Sequence, residues 1–213
     1  MSKVLVNKST LISIADAIRE KSGTADTYKP AEMSKAISAI MVSGEDVLKG
    51  IIGNWNYSNL TTSQAQQMLD IIGETDALRK QVGEGMFKRQ DNITSVTIPN
   101  GIKYIGAECF RGCLKLANVS FPESLTELAD KAFYSTNIST VKLPASLTKI
   151  GADCFIASNV KKVYFNGTPT FVSPTAFAEN NALTDIYVPW AEGAVSYAPW
   201  GATNATIHYN YTE

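Results

Sequence analysis

Few residues of this 213-residue chain are of a type and spacing that could do chemistry. The one histidine, His208, stands in Thr206-Ile207-His208-Tyr209, five residues from the end. A histidine base needs an orienting carboxylate and a nucleophile within hydrogen-bond reach, and the sequence marks neither beside it. His208 therefore reads as a residue of a terminal strand. The three cysteines, Cys109, Cys113 and Cys154, are an odd set in a chain this long, which argues against a disulfide framework and for a reducing compartment. Cys109 and Cys113 have no second ligand pair at zinc spacing, so all three read as small buried hydrophobes and no metal is expected. Gly83-Glu84-Gly85 is followed by no Gly-Lys-Ser/Thr and is not a phosphate loop. The acidic residues are scattered, with no Asp-x-Asp-x-Asp run. The expectation is a chain that binds, without catalytic residues, metal or cofactor.

Residues suited to binding are easier to find. Two columns recur at the outward positions of short alternating runs: Thr97, Ser120, Lys142, Tyr164 and Tyr187, and beside them Ser95, Asn118, Thr140, Lys162 and Asp185. Toward the C-terminal end the columns become aromatic and charged. Exposed rings next to hydrogen-bonding groups suit a carbohydrate or a protein epitope. Lys142, Lys162, Tyr164, Asp185 and Tyr187 are accordingly the candidate ligand-binding residues. Trp190, Tyr197 and Trp200 gather nearby, the two tryptophans reading as a cap on the last coil.

The elements that position these residues are set by a repeat. Phe87, Phe110, Phe133, Phe155 and Phe177 are separated by 23, 23, 22 and 22 residues. Each is followed by an alternating run: Val96-Thr97-Ile98-Pro99, Val119-Ser120-Phe121-Pro122, Val141-Lys142-Leu143-Pro144, Val163-Tyr164-Phe165-Asn166 and Ile186-Tyr187-Val188-Pro189. A second apolar pair lies between run and phenylalanine, as in Ile102 with Ile105-Gly106 and Leu147 with Ile150-Gly151. Alternation puts the apolar residues of each run on one side. Runs this short cannot stand alone, and stacked at roughly 4.8 Å they make a continuous parallel sheet over an aliphatic column. The phenylalanines then stack on the far side of the coil. The proline after a strand removes a donor and ends the ladder. Asn166-Gly167-Thr168-Pro169 lacks that proline, so its turn is expected to differ. Val82-Gly83-Glu84-Gly85-Met86-Phe87 reads as the second half of a capping unit.

Upstream, residues 9–22 read as an amphipathic helix with Leu11, Ile14 and Ile18 on one face, capped by Ser9 or Thr10 and closed by Gly23. A second helix starting at Pro30 presents Met33, Ile37 and Ile40. A third, from Thr61, places Ala65, Met68, Leu69 and Ile72 on one face and closes the open end of the coil. The expected organisation is a helical attachment or oligomerisation module over 1–42, a connector and capping helix over 43–74, and the coil over 75–213. The fold class is α+β: a solenoid of about five 22–23-residue units with short parallel strands behind a small helical N-terminal domain.

Composition bounds the partners. Apolar residues make up 45 % and charged residues 18 %, with a net charge of -1 and no block of like charge, so neither nucleic acid nor an anionic membrane is an expected partner. The first residues lack the apolar core of a secretory signal, and no run approaches the roughly 20 apolar residues of a membrane span.

The units resemble BspA-like leucine-rich repeats, whose pattern is carried closely by Pro99-Asn100-Gly101-Ile102-Lys103-Tyr104-Ile105-Gly106-Ala107-Glu108-Cys109-Phe110 and again from Pro144 to Phe155. The segment from Leu5 through Ser9-Thr10-Leu11-Ile12-Ser13-Ile14-Ala15-Asp16-Ala17-Ile18 to Thr24, continued by Lys29-Pro30-Ala31-Glu32-Met33, resembles one that recurs in tail and baseplate proteins of phages of Gram-positive bacteria. Val188-Pro189-Trp190-Ala191-Glu192-Gly193 with Ala198-Pro199-Trp200-Gly201-Ala202 is similar to the closing cap of repeat proteins of the same phages. The resemblance implies a virion component made without an export signal. Its N-terminal helices would dock to other virion proteins and its repeats would contact a host cell-surface glycan or protein. By analogy with tail fibres it implies a homo-oligomer, a trimer. The alternatives are a head fibre or decoration protein, and a bacterial leucine-rich-repeat surface adhesin.

Overall fold

The computed structural model describes residues 60–74 and 81–212. The attachment-helix residues Leu11, Ile14, Ile18, Met33, Ile37 and Ile40 lie outside them.

Each unit contributes up to two short strands, and equivalent strands of successive units pair in parallel. One set is β2 (Ser95–Thr97), β4 (Asn118–Ser120), β6 (Thr140–Leu143), β8 (Lys162–Phe165), β10 (Asp185–Tyr187) and β11 (Thr206–His208). The other, a five-stranded sheet, runs β1 (Gln81–Val82), β3 (Tyr104–Ile105), β5 (Glu127–Leu128), β7 (Lys149–Ile150) and β9 (Phe171–Val172) in order. The result is a parallel-strand solenoid of about six turns. The sixth turn carries no phenylalanine: Trp200 follows Ile186 by fourteen residues, the spacing that separates Val163 from Phe177.

Alternation works as the pattern dictates. Val96, Val141, Val163 and Ile186 point inward and are buried, as are Val82, Ile105, Leu128, Ile150 and Val172 of the second sheet. The five phenylalanines are fully buried and stack in one file, with centroids 5.0, 5.2, 5.3 and 5.3 Å apart. Burying one such ring is worth about 2–3 kcal/mol. A unit buries one ring and a few aliphatics, so the units stand only by stacking.

The sheet of longer strands is not continuous. It divides into β2-β4 and β6-β8-β10-β11, with no ladder between β4 and β6. Eight positions separate Phe133 from Val141, against nine between Phe110 and Val119, but the same difference between Phe155–Val163 and Phe177–Ile186 leaves β8 and β10 paired. Val119 is half-buried where Val96, Val141, Val163 and Ile186 are buried. Without a strand-ending proline, β8 runs to Phe165 just as β6 runs to Leu143 before Pro144, and in the turn that follows Gly167 passes against the neighbouring turn. A Cβ at Gly167 would stand 2.3 Å from the Ala145 carbonyl oxygen, so only glycine fits.

The N-terminal edge is sealed by helix α1 (Thr62–Glu74). Thr61 and Gln64 form a capping box: the Thr61 hydroxyl accepts from the Gln64 backbone N–H, and the Gln64 side-chain Oε1 accepts from the Thr61 N–H. Ala65, Met68, Leu69 and Ile72 turn into the core. On the side facing β2, the Gln66 amide both accepts from the Thr97 N–H at 2.7 Å and donates to the Thr97 carbonyl at 2.8 Å. One turn earlier, the Thr62 hydroxyl accepts from the Thr94 N–H. Side chains spaced i, i+4 thus satisfy backbone groups that an open strand edge would present to another chain.

Candidate functional site

Inside the coil, the position three residues after each phenylalanine is polar or a thiol: Gln90, Cys113, Thr136, Ser158 and Asn180, all buried. The turn there leaves carbonyls that no strand satisfies, and the last four of these side chains reach them, while the Gln90 amide oxygen accepts from the Leu60 N–H. The Cys113 thiol donates to the Phe87 carbonyl, the Ser158 hydroxyl to that of Phe133 at 2.8 Å, and the Asn180 amide to that of Phe155 at 2.7 Å. Each ties one turn to the turn before, so the column is structural. Burial pushes the Cys113 thiol up to about 12, with Cys109 and Cys154 raised as well. A thiolate is the reactive form of cysteine, so these three are removed from nucleophilic chemistry. Among the described residues no group of three His, Cys, Asp or Glu side chains could hold a metal ion.

The outer face of the longer strands is where the candidate side chains converge. Parallel register aligns Thr140, Lys162, Asp185 and Thr206 in one file and Lys142, Tyr164, Tyr187 and His208 in the next. Side chains two apart on a strand share a face, so both files point away from the core. The Tyr164 and Tyr187 rings stack at 4.7 Å and 5°, and His208 continues the stack on Tyr187 at 4.5 Å and 13°. The Lys142 ammonium lies over the other side of Tyr164, 5.5 Å from its centroid. Tyr211, past the last strand, leans on both tyrosines at 6.1 and 4.8 Å. Asp185 accepts from the Thr184 hydroxyl at 2.7 Å and lies 2.9 Å from His208 Nε2. That bond to His208, with a smaller share from Thr184, holds the Asp185 carboxyl below the ordinary carboxylate range.

The five residues singled out in the sequence are therefore neighbours on one surface. Lys142 and Lys162 are exposed, while Tyr164, Asp185 and Tyr187 are half-buried by their stacking partners. His208 does belong to the terminal strand, β11, but it also has the carboxylate that its local sequence does not show. It and Tyr211 were missed as members of this face. The signal for His208 was present: Thr206-Ile207-His208 repeats the pattern of Asp185-Ile186-Tyr187. Trp190 and Trp200 are buried and pack against Phe165 at 5.2 and 5.5 Å, which makes them the cap of the last coil. Tyr197, by contrast, is 65 % exposed.

Known proteins share this architecture. A leucine-rich repeat protein from Bacteroides ovatus is 20 % identical over 63 % of this chain and 35 % of its own, with a TM-score of 0.51. The leucine-rich repeat protein of T. pallidum is 24 % identical over 62 % of this chain and 63 % of its own, with a TM-score of 0.49. One from Bacteroides capillosus is 32 % identical over 41 % of this chain and 63 % of its own, with a TM-score of 0.37. The chain thus spans about a third to two thirds of the length of these structures. No curated protein matches it. Residues 80–195 match the model for the BspA type leucine rich repeat region in six copies. With more than half its length in those copies, and with their parallel coil built around a phenylalanine file, the chain belongs to the BspA type leucine rich repeat family.

Proposed function

We propose that this chain is a non-enzymatic adhesion module, the receptor-binding component of a phage tail or baseplate, acting through the outer face of its C-terminal turns. The observation that carries the binding role is the gathering of Lys142, Lys162, Tyr164, Asp185, Tyr187, His208 and Tyr211 on one surface, while the equivalent positions in earlier turns hold small Thr97 and Ser120. A spacer has no use for aromatic side chains on its outer face, whereas recognition surfaces concentrate tyrosine. The phage assignment is supported by the resemblance of residues 5–33 and 188–202 to tail and baseplate proteins. On this reading the N-terminal helices join other virion proteins, the chain works as a trimer, and the partner is a molecule of the host surface.

Tyr164→Ala combined with Tyr187→Ala is expected to abolish binding of the labelled chain to host cells while the chain stays folded, its melting temperature lowered by only about 2–8 °C. Normal cell binding by that variant removes the face from the function. Immunogold microscopy with an antibody against the repeats tests the location. Label at the tail tip supports adhesion, and label on the head replaces it with a decoration role in which the coil is a spacer.

A further inference from the structure

We infer that this face recognises an acidic protein segment through phenol hydroxyls and ring edges, rather than a sugar through ring faces; the inference rests on the assignment of the face as the binding surface. A pyranose binds an aromatic residue by laying its C–H side on the flat of the ring, and needs that flat uncovered. Here the flats of both strand tyrosines are taken. Tyr164 has the Lys142 ammonium on one side and Tyr187 on the other. Tyr187 lies between Tyr164 and His208. Tyr211 leans against both tyrosines at 55°. What the two stacked rings present outward is their edges and hydroxyls.

Those groups ask for acceptors. The edge of an aromatic ring is the positive end of its quadrupole, and a phenol donates readily. Neither the Tyr164 nor the Tyr187 hydroxyl has a hydrogen bond to another described residue. Lys162 adds an exposed cation in the file alongside. The one acid of the face, Asp185, is engaged by Thr184 and His208. The surface therefore offers donors and positive charge, and its complement is a segment rich in carboxylates and free carbonyls. A phosphate polymer also carries acceptors, but such ligands draw on arginine forks and larger basic clusters, and these files contain no arginine. Tyrosine edges flanked by lysine suit a protein surface, where apolar contact and hydrogen bonding occur together.

The test sets hydroxyl against ring. In Tyr164→Phe with Tyr187→Phe the stack and its flats remain and only the donors go. The full chain is applied to an array of 12-residue peptides of random sequence graded by net charge, beside an oligosaccharide array and polyglycerol phosphate. Binding is expected to concentrate on net-negative peptides. The phenylalanine pair should lower affinity for the best of these about a hundredfold, roughly tenfold per hydroxyl, with the melting temperature unchanged. Indifference to peptide charge, preference for sugar or polyglycerol phosphate, or full binding by the phenylalanine pair overturns the inference. If the phenylalanine pair adheres to cells normally while the alanine pair does not, adhesion by this face stands and the hydroxyl reading alone fails. If the alanine pair adheres normally, both fall.

Discussion

Inside the coil five phenylalanines stand 5.0–5.3 Å apart with interplanar angles of 10° or less, and outside it Tyr164, Tyr187 and His208 stand 4.5–4.7 Å apart at 5–13°. The two files have nearly the same geometry because neither chose it. Parallel in-register pairing repeats the backbone at the strand spacing, and any ring occupying one register in successive turns must lie flat over its neighbour. The surroundings are what differ. The phenylalanine file is closed off from water and holds the turns together. The tyrosine file lies against the outside of a sheet that already has its core, so its stacking adds little to the fold and is free to serve recognition. Geometry comes from the repeat, and energy comes from burial.

The contrast can be broken at its strong end first. Phe133→Ala removes a buried ring with stacked neighbours on both sides and leaves a cavity in the middle of the coil. The expected loss is about 3–5 kcal/mol, read by denaturant unfolding. A loss below about 1 kcal/mol would mean that the file is not what holds the turns. Tyr187→Ala, the same deletion in the outer file, is expected to cost only about 0.5–1.5 kcal/mol, the worth of a partly exposed ring pair. Should a double-mutant cycle with Tyr164→Ala give a coupling as large as that inside, the outer file would have to be counted as part of the core.

The smallest effect is electrostatic. The folded-state pKa of Asp185 lies below its ordinary value, so the folded chain favours the carboxylate. Its contribution is present above the unfolded pKa, near 4, and is lost as pH falls through the lowered folded value. Wild type should therefore lose melting temperature between about pH 4 and pH 2 slightly faster than Asp185→Asn. Added salt should shrink the difference, because the pair sits at the solvent edge. Identical acid slopes for the two chains would show that the bond to His208 contributes nothing.

Much of this was legible in residues alone. The phenylalanine spacing gave the coil, its core file and the strands, and the outward positions of those strands gave all five candidate binding residues. The apolar face beginning at Ala65 foretold the capping helix. The buried column of Gln90, Cys113, Thr136, Ser158 and Asn180 was in plain view as the third residue after each phenylalanine, yet its varied chemistry hid it. What unites Cys113, Thr136, Ser158 and Asn180 is not their type but the carbonyls they reach, and those exist only once the turn is formed.

Sequence by itself thus determined which residues face in and which face out, since side-chain direction follows from local periodicity and the repeat copies it from turn to turn. Only the tertiary structure decided what faces what. Asp185 and His208 are 23 residues apart and meet because strand pairing sets them on adjacent strands. The ladder lapses between β4 and β6, although the residues of both strands follow the same alternating pattern. The rings of Tyr164 and Tyr187 are turned edge-outward by neighbours from other turns, and that decides which ligand chemistry they can offer.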